Sequence, residues 1–386
     1  MRVLVLTDSL SDLDGVGRYT LRLFQALERL DGELSVEVLL ARKHRPTSAG
    51  VPKHWSVSVG LPPDYFYYMR PMRFWVSLVA ATWRVARAAR RADVVHAVKD
   101  YPHNAVGVLG ARLAGKPCVA TAHGTYTVAP LLSARHGRLA RWTYGRVARM
   151  ISVSRYTRGR LLEVLGEEAL GAVEVIPNRV DASAYEGQRA VAPAPWHGAY
   201  YTLSIGELKE RKGHHLALAA WLRVAAEHAD LEHFVVGNST GDEYEMRLRE
   251  MVRAADCEDR VHFLGNVGEE EKVDLLQRAR VFIHTPVTAA DGGFEGFGIV
   301  YLEAAAAGTA ALGTLHSGAE DAILDGVTGL LVEPHEDSVA DALAQLLGAS
   351  ASTEAMGAAG REHARASSWE ENAARVLAIY REVSAP

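Results

Sequence analysis

The chain has 386 residues, 48% of them hydrophobic and 23% charged, which is enough for two packed soluble domains. Its two cysteines, Cys118 and Cys257, are too few for a disulfide framework, and no apolar run reaches the length of a membrane-spanning helix. The net charge of -5 conceals opposed halves: residues 1–183 carry 26 Lys and Arg against 15 Asp and Glu, and the remainder carries 16 against 32, so the first half is suited to an anionic partner.

The opening VLVLT (3–7) reads as a buried strand rather than a secretion signal, which points to a cytoplasmic protein. A helix follows over Arg18 to Leu30, then a strand VEVLL (36–40). Met72 to Arg91 has helical spacing and combines apolar residues with Arg84, Arg87, Arg90 and Arg91, leaving two readings: a helix packed on its own sheet, or peripheral contact with the inner face of a membrane. Next come the strand DVVHA (93–97), a helix from His103 to Ala114, and the strands PCVAT (117–121), RMISV (149–153) and VEVIP (173–177). Asp181 to Trp196 has little periodicity and reads as a linker. The alternation then restarts with YTLSI (201–205), HFVVG (233–237), RVHFLG (260–265), VFIHT (281–285), GTAALG (308–313) and GLLVE (329–333). An amphipathic helix over Trp369 to Val383 closes the chain. Strands alternating with helices predict an α/β protein with two doubly wound parallel sheets, whose ligands bind beyond the carboxyl ends of the strands.

Four segments at such ends carry candidate chemistry. In DGGFEGFGIVYLEAAAAG (291–308) a glycine-rich loop runs into a helix starting near Gly298. The N–H groups of Phe297, Gly298 and Ile299 then favour an anion, while Glu295 and Glu303 can accept hydrogen bonds from hydroxyls nearby. In SIGELKERKGHH (204–215), Arg211 and Lys212 stand at a strand-to-helix turn where they would neutralise a phosphate group. Gly15 and Gly17 lie in the loop after the first strand, beside Asp12 and Asp14, a lone DxD too short to argue for a metal. His123, in ATAHGTY (120–126), leaves a buried strand and can hydrogen-bond a hydroxyl or shuttle a proton. No zinc-protease, Walker A or nucleophile-elbow motif is present, and no nucleic-acid-reading module is evident.

Taken in order, HGTY, VIPNRVD (175–181), the lysine-glycine pair at Lys212, EGFGIVYLE with its glutamates at 295 and 303, GVTGLLV (326–332) and WEENAARVLAIY resemble the retaining glycosyltransferases of family 4 over essentially the whole chain. The resemblance implies the GT-B fold, with two Rossmann-like domains facing across a cleft. It places the first over 1–183 plus 367–386 on the acceptor side and the second over 184–366 on the nucleotide-sugar side. It implies transfer of a sugar from a nucleoside diphosphate donor, a UDP- or GDP-sugar, to an acceptor hydroxyl with retention, without a cofactor or metal. By the same resemblance, Lys212 and Arg211 take the diphosphate, supported by Phe297, Gly298 and Ile299. Glu295 holds the donor sugar, Glu303 the ribose, His123 the region of the reacting carbon, and Gly15 and Gly17 line the opposite wall. The acceptor, a glycan, small molecule or lipid, is expected near the aromatic stretch 64–68 and Lys99, Asp100 and His103. Two positions depart from the family pattern: Glu207 stands where an arginine is usual, so that either Arg211 or Lys209 supplies its charge or the diphosphate is bound more weakly or differently, and Arg179 replaces a glycine. A phosphorylase or epimerase on the same fold, and a sugar-nucleotide-binding protein without turnover, are the rival readings.

Overall fold

The computed structural model describes residues 1–166, 173–239 and 241–385. The chain divides into two compact units, Met1–Asn178 with Trp369–Pro386, and Arg179–Ser368. The closing helix therefore belongs to the first unit.

The first unit holds a seven-stranded sheet. Its strands are β1 (Arg2–Thr7), β2 (Ser35–Ala41), β3 (Ser56–Leu61), β4 (Val94–Ala97), β5 (Cys118–Ala122), β6 (Arg149–Ser152) and β7 (Val173–Val175). The order is β3-β2-β1-β4-β5-β6-β7, all parallel. β1 and β4 are apolar almost throughout because helices cover both faces of the sheet. β3 has no counterpart among the expected strands. Its SVSVGL pattern leaves four residues exposed at the sheet edge, so it lacks the apolar run that marks a central strand.

The helix Gly15–Leu30 begins earlier than its apolar pattern, because the Asp14 carboxylate accepts the Gly17 N–H at 2.7 Å and caps it. The terminal helix Trp369–Val383 packs on it. That packing is held by the Tyr19–Trp369 ring contact at 5.8 Å and by the Tyr380 hydroxyl, which bonds His96 in the sheet. The helix Pro71–Ala89 buries Phe74, Leu78, Ala81 and Val85. Its other side carries a second apolar stripe in the open: Met72 (80% exposed), Trp75, Val76, Val79 and Trp83 (61% exposed), flanked by the exposed Arg73, Arg84 and Arg87. No helix among the described residues is long and apolar enough to cross a membrane.

The second unit holds six strands: β8 (Tyr200–Ile205), β9 (Leu231–Val236), β10 (Val261–Gly265), β11 (Val281–Ile283), β12 (Ala311–Thr314) and β13 (Gly329–Val332). Their order is β10-β9-β8-β11-β12-β13, again all parallel. Trp221, Ile283, Leu312 and Leu343 lie in one buried apolar cluster on this sheet. β12 starts later than GTAALG suggested, because Gly308 takes a left-handed φ of 84° to end the preceding helix. The expected linker is partly structured: Ala182–Tyr185 form a 3-10 turn and the buried Trp196 indole donates to Asp274 at 2.8 Å. Both sheets reverse their winding at a central pair, β1/β4 and β8/β11, and ligand crevices of doubly wound sheets open at such points.

Candidate functional site

In the second unit, β8 and β11 are neighbours, with Val281 opposite Thr202 and Phe282 opposite Leu203. The segments leaving their carboxyl ends therefore emerge side by side, although they are far apart in sequence. Residues 284–287 lie directly on the turn at 211–213: the Thr285 hydroxyl donates to the Gly213 carbonyl at 2.8 Å, and the Val287 N–H donates to the Arg211 carbonyl at 3.2 Å. Gly213 permits this approach. Its φ is 70°, and a methyl group there would fall 1.6 Å from the Thr285 oxygen.

This packing delivers Lys212 to Glu295, whose carboxylate accepts from the Lys212 ammonium. The Arg211 guanidinium lies 3.6 Å from the same carboxylate oxygen. Burial by itself would raise the Glu295 carboxyl, but the Lys212 charge, with His284 and Arg211, outweighs it and holds the group well below the usual carboxylate range. Glu295 is thus an anion at neutral pH. Its backbone is fixed too, since the Gly318 N–H donates to the Glu295 carbonyl at 2.9 Å.

The helix Ile299–Ala307 opens beside this cluster. Its N-cap is Gly298, it has no side-chain cap, and no acidic residue occupies its first turn. Its positive end, at Phe297, Gly298 and Ile299, thus has no side-chain counter-charge from its own first turn. Glu303 lies inside the helix, 2% exposed, and its carboxylate accepts from the Lys272 ammonium at 3.1 Å. Glu207 faces Lys209 at 3.1 Å and Arg211 at 3.7 Å. Arg211 therefore spans Glu207 and Glu295, while the more exposed Lys209 pairs with Glu207.

In the first unit the carboxyl ends of β1, β4 and β5 gather a second polar group. Lys99 pairs with Asp8 at 2.5 Å. The Asp100 carboxylate accepts from the Thr127 hydroxyl and from the His123 N–H, the latter at 3.2 Å. The His123 ring bonds the Val98 carbonyl through Nε2 at 3.0 Å and meets the Tyr19 ring edge-on. Burial lowers its pKa below the ordinary histidine value, so the ring is neutral at pH 7.

The His103 N–H donates to the Asp100 carbonyl at 3.0 Å, while its ring turns to another segment. It is fully buried, and its Nε2 bonds the Pro62 carbonyl at 3.0 Å. Gly17 also serves a local purpose: a methyl group there would fall 2.2 Å from the Ser11 carbonyl, so the glycine lets the loop lie against the helix. Gly15 is the first residue of that helix. Asp12 accepts from the Ser48 hydroxyl and Asp14 caps the helix.

Three participants were not singled out from sequence: Asp8, Lys272 and His284. His284 ends VFIHT, and its place at the end of a central strand was the available signal. Lys272 sits in the charged helix Glu269–Arg278, where nothing local marks it.

Residues 192–363 match the family described as Glycosyl transferases group 1, and residues 13–184 match Glycosyltransferase Family 4. The phosphatidyl-myo-inositol mannosyltransferase of Mycolicibacterium smegmatis is 30% identical over 76% of this chain and 72% of its own length. Its Mycobacterium leprae counterpart is 32% identical over 71% and 69%. Among solved structures, Anabaena HepE in complex with UDP and glucose superposes with a TM-score of 0.75 at 19% identity, covering 98% of this chain and 99% of that one. WaaG, a glycosyltransferase involved in lipopolysaccharide biosynthesis, superposes at 0.70 and 15% identity over the full length of both. These structural likenesses show the fold, GT-B.

Proposed function

Because the chain belongs to the family 4, group 1 glycosyltransferases, and so moves a sugar from a nucleotide donor to an acceptor, we propose that the second unit binds a GDP-sugar and that the acceptor is an inositol phospholipid. The observation that carries the donor assignment is the convergence of Lys212 and Arg211 on Glu295 beside the uncapped helix start at Gly298. Two cations and a helix N-terminus suit a diphosphate, and a buried carboxylate beside them suits the hydroxyls of the sugar it carries. Glu303, held by Lys272, is assigned to the ribose.

GDP-mannose is the first donor to test. Relatives named GDP-mannose-dependent mannosyltransferases are 36% identical over 42% of this chain and 30% identical over 65%, whereas the structures with UDP lie below 20% identity.

In the reaction, the bond from the anomeric carbon to the leaving phosphate breaks. A bond to the acceptor oxygen forms on the same face, and the acceptor proton passes to the leaving phosphate oxygen. Lys212 and Arg211 stabilise the charge developing on the diphosphate, and no metal is needed for that task. In a thermal-shift panel of GDP, UDP, ADP and dTDP, GDP is expected to raise the melting point most. A panel with no shift would remove the donor assignment.

A lipid acceptor is supported by the open apolar stripe on Pro71–Ala89, whose tryptophans and flanking arginines suit the interface of an anionic bilayer. Tyr65 and Tyr68 lie exposed just before that helix, in the aromatic stretch 64–68. The protein is expected to co-sediment with phosphatidylinositol-containing vesicles at low salt and to release as salt screens the arginines. Replacing Trp75 and Trp83 together by serine should weaken binding at least about 10-fold. Absence of binding at low salt would exclude this surface.

A further inference from the structure

Beside the donor cluster lies the buried His284. The side chain of His284 is 1% exposed, and neither ring nitrogen makes a hydrogen bond among the described residues. A buried polar group left in this way costs stability, so its retention calls for an explanation. The residue is held firmly. Its N–H donates to Leu312 at 3.0 Å, its carbonyl accepts from the Tyr301 hydroxyl at 2.5 Å, and its ring lies 5.2 Å from that of Tyr301. Nε2 lies 3.6 Å from the Glu295 carboxylate oxygen, just beyond hydrogen-bond reach. Burial, aided by the charges of Lys212 and Arg211 and opposed by Glu295, lowers the imidazole pKa below its usual value. The ring is therefore neutral at pH 7, with one N–H to donate.

We infer that His284 is a positioning residue that takes over Glu295 when the donor arrives, donating from Nε2 to the carboxylate while Lys212 and Arg211 turn to the diphosphate. The inference rests on the donor reading above. Glu295 is held by the two cations. Both are drawn toward the diphosphate once it binds. A carboxylate only 8% exposed then needs another donor to keep it aimed at the sugar hydroxyls, and His284 is the adjacent group with an uncommitted N–H. A movement of a few tenths of an ångström closes the bond.

The consequence is selective. His284 should matter for the sugar of the donor and not for its nucleotide. Calorimetric titration of the wild type, His284→Leu and His284→Gln with GDP and GDP-mannose, and with UDP and UDP-glucose, reads this directly. His284→Leu is expected to bind the nucleoside diphosphate within about 2-fold of wild type, and the nucleotide sugar about 10-fold more weakly, the loss expected for a hydrogen bond to a charged group. His284→Gln, which carries an N–H near the position of Nε2, should recover most of the loss. Should the leucine variant fail to fold, His284→Asn, whose shorter amide falls short of Glu295, is expected to show the same selective loss. Equal weakening of nucleotide and nucleotide sugar, or an unchanged preference for the sugar, would overturn the inference and leave the donor site standing. Wild-type protein that binds neither nucleotide would remove the donor site and the inference together.

Discussion

Lys212→Ala is expected to lower kcat by about 10²-fold or more, the scale of loss when one preorganised charge-stabilising group is removed from a site. Lys212 is the residue most closely engaged with Glu295, and Arg211 alone would remain beside the diphosphate. The same substitution strips Glu295 of its main counter-charge, so some loss of stability accompanies the loss of turnover. The two effects separate in the double variant Lys212→Ala with Glu295→Gln. Its melting point should return toward wild type, because no buried anion is left unpaired, while its turnover stays low. Steady-state kinetics with saturating donor and a melting curve for each protein check both halves. Unchanged turnover in Lys212→Ala would contradict the diphosphate assignment.

Gly213→Ala should be the most damaging single methyl group in the second unit. The residue sits at φ 70° and ψ 20°, a left-handed conformation that costs an alanine about 1–2 kcal/mol by itself. The larger effect is overlap: the added carbon falls 1.6 Å from the Thr285 carbonyl oxygen, and the atoms nearest it are backbone, which cannot rotate away. The turn and residues 284–287 must separate, losing the Thr285 and Val287 hydrogen bonds and displacing Lys212. A destabilisation of about 4 kcal/mol or more is expected, with activity lost in the protein that remains folded. Gly348→Ala is the control, since a methyl group there meets nothing within 4 Å, and its denaturation midpoint should not fall. An unshifted midpoint for Gly213→Ala would mean that the two segments do not meet as described.

Both variants probe residues that were legible in the sequence, and the reason is local. Strands buried on both faces must be nearly continuous in apolar residues, so VLVLT, DVVHA, YTLSI and VFIHT stood out. The alternation with helical spacing was enough to expect parallel sheets. The edge strand Ser56–Leu61 is not legible in this way, because four of its residues face solvent and follow no such rule. The glycine loop before Gly298 and the Arg-Lys-Gly turn at 211–213 were legible for a similar reason: tight turns and uncapped helix starts depend on residue types a few positions apart. Gly17 shows how far that reasoning extends. Its glycine was recognisable, but its contact with Ser11 in the preceding loop was not.

Composition, apolar rhythm and short motifs thus determine that this is a two-sheet α/β protein with glycine-rich and basic turns at strand ends. They do so because each of these properties is set by neighbours along the chain. Partnership across the molecule is not. That Lys212 meets Glu295 and that His284 stands 3.6 Å from the same carboxylate follow from β8 lying beside β11, and Lys272 reaches Glu303 because the helices before and after β11 pack together. Strand order is settled by how whole layers pack, and only the folded chain shows which charges that packing brings together.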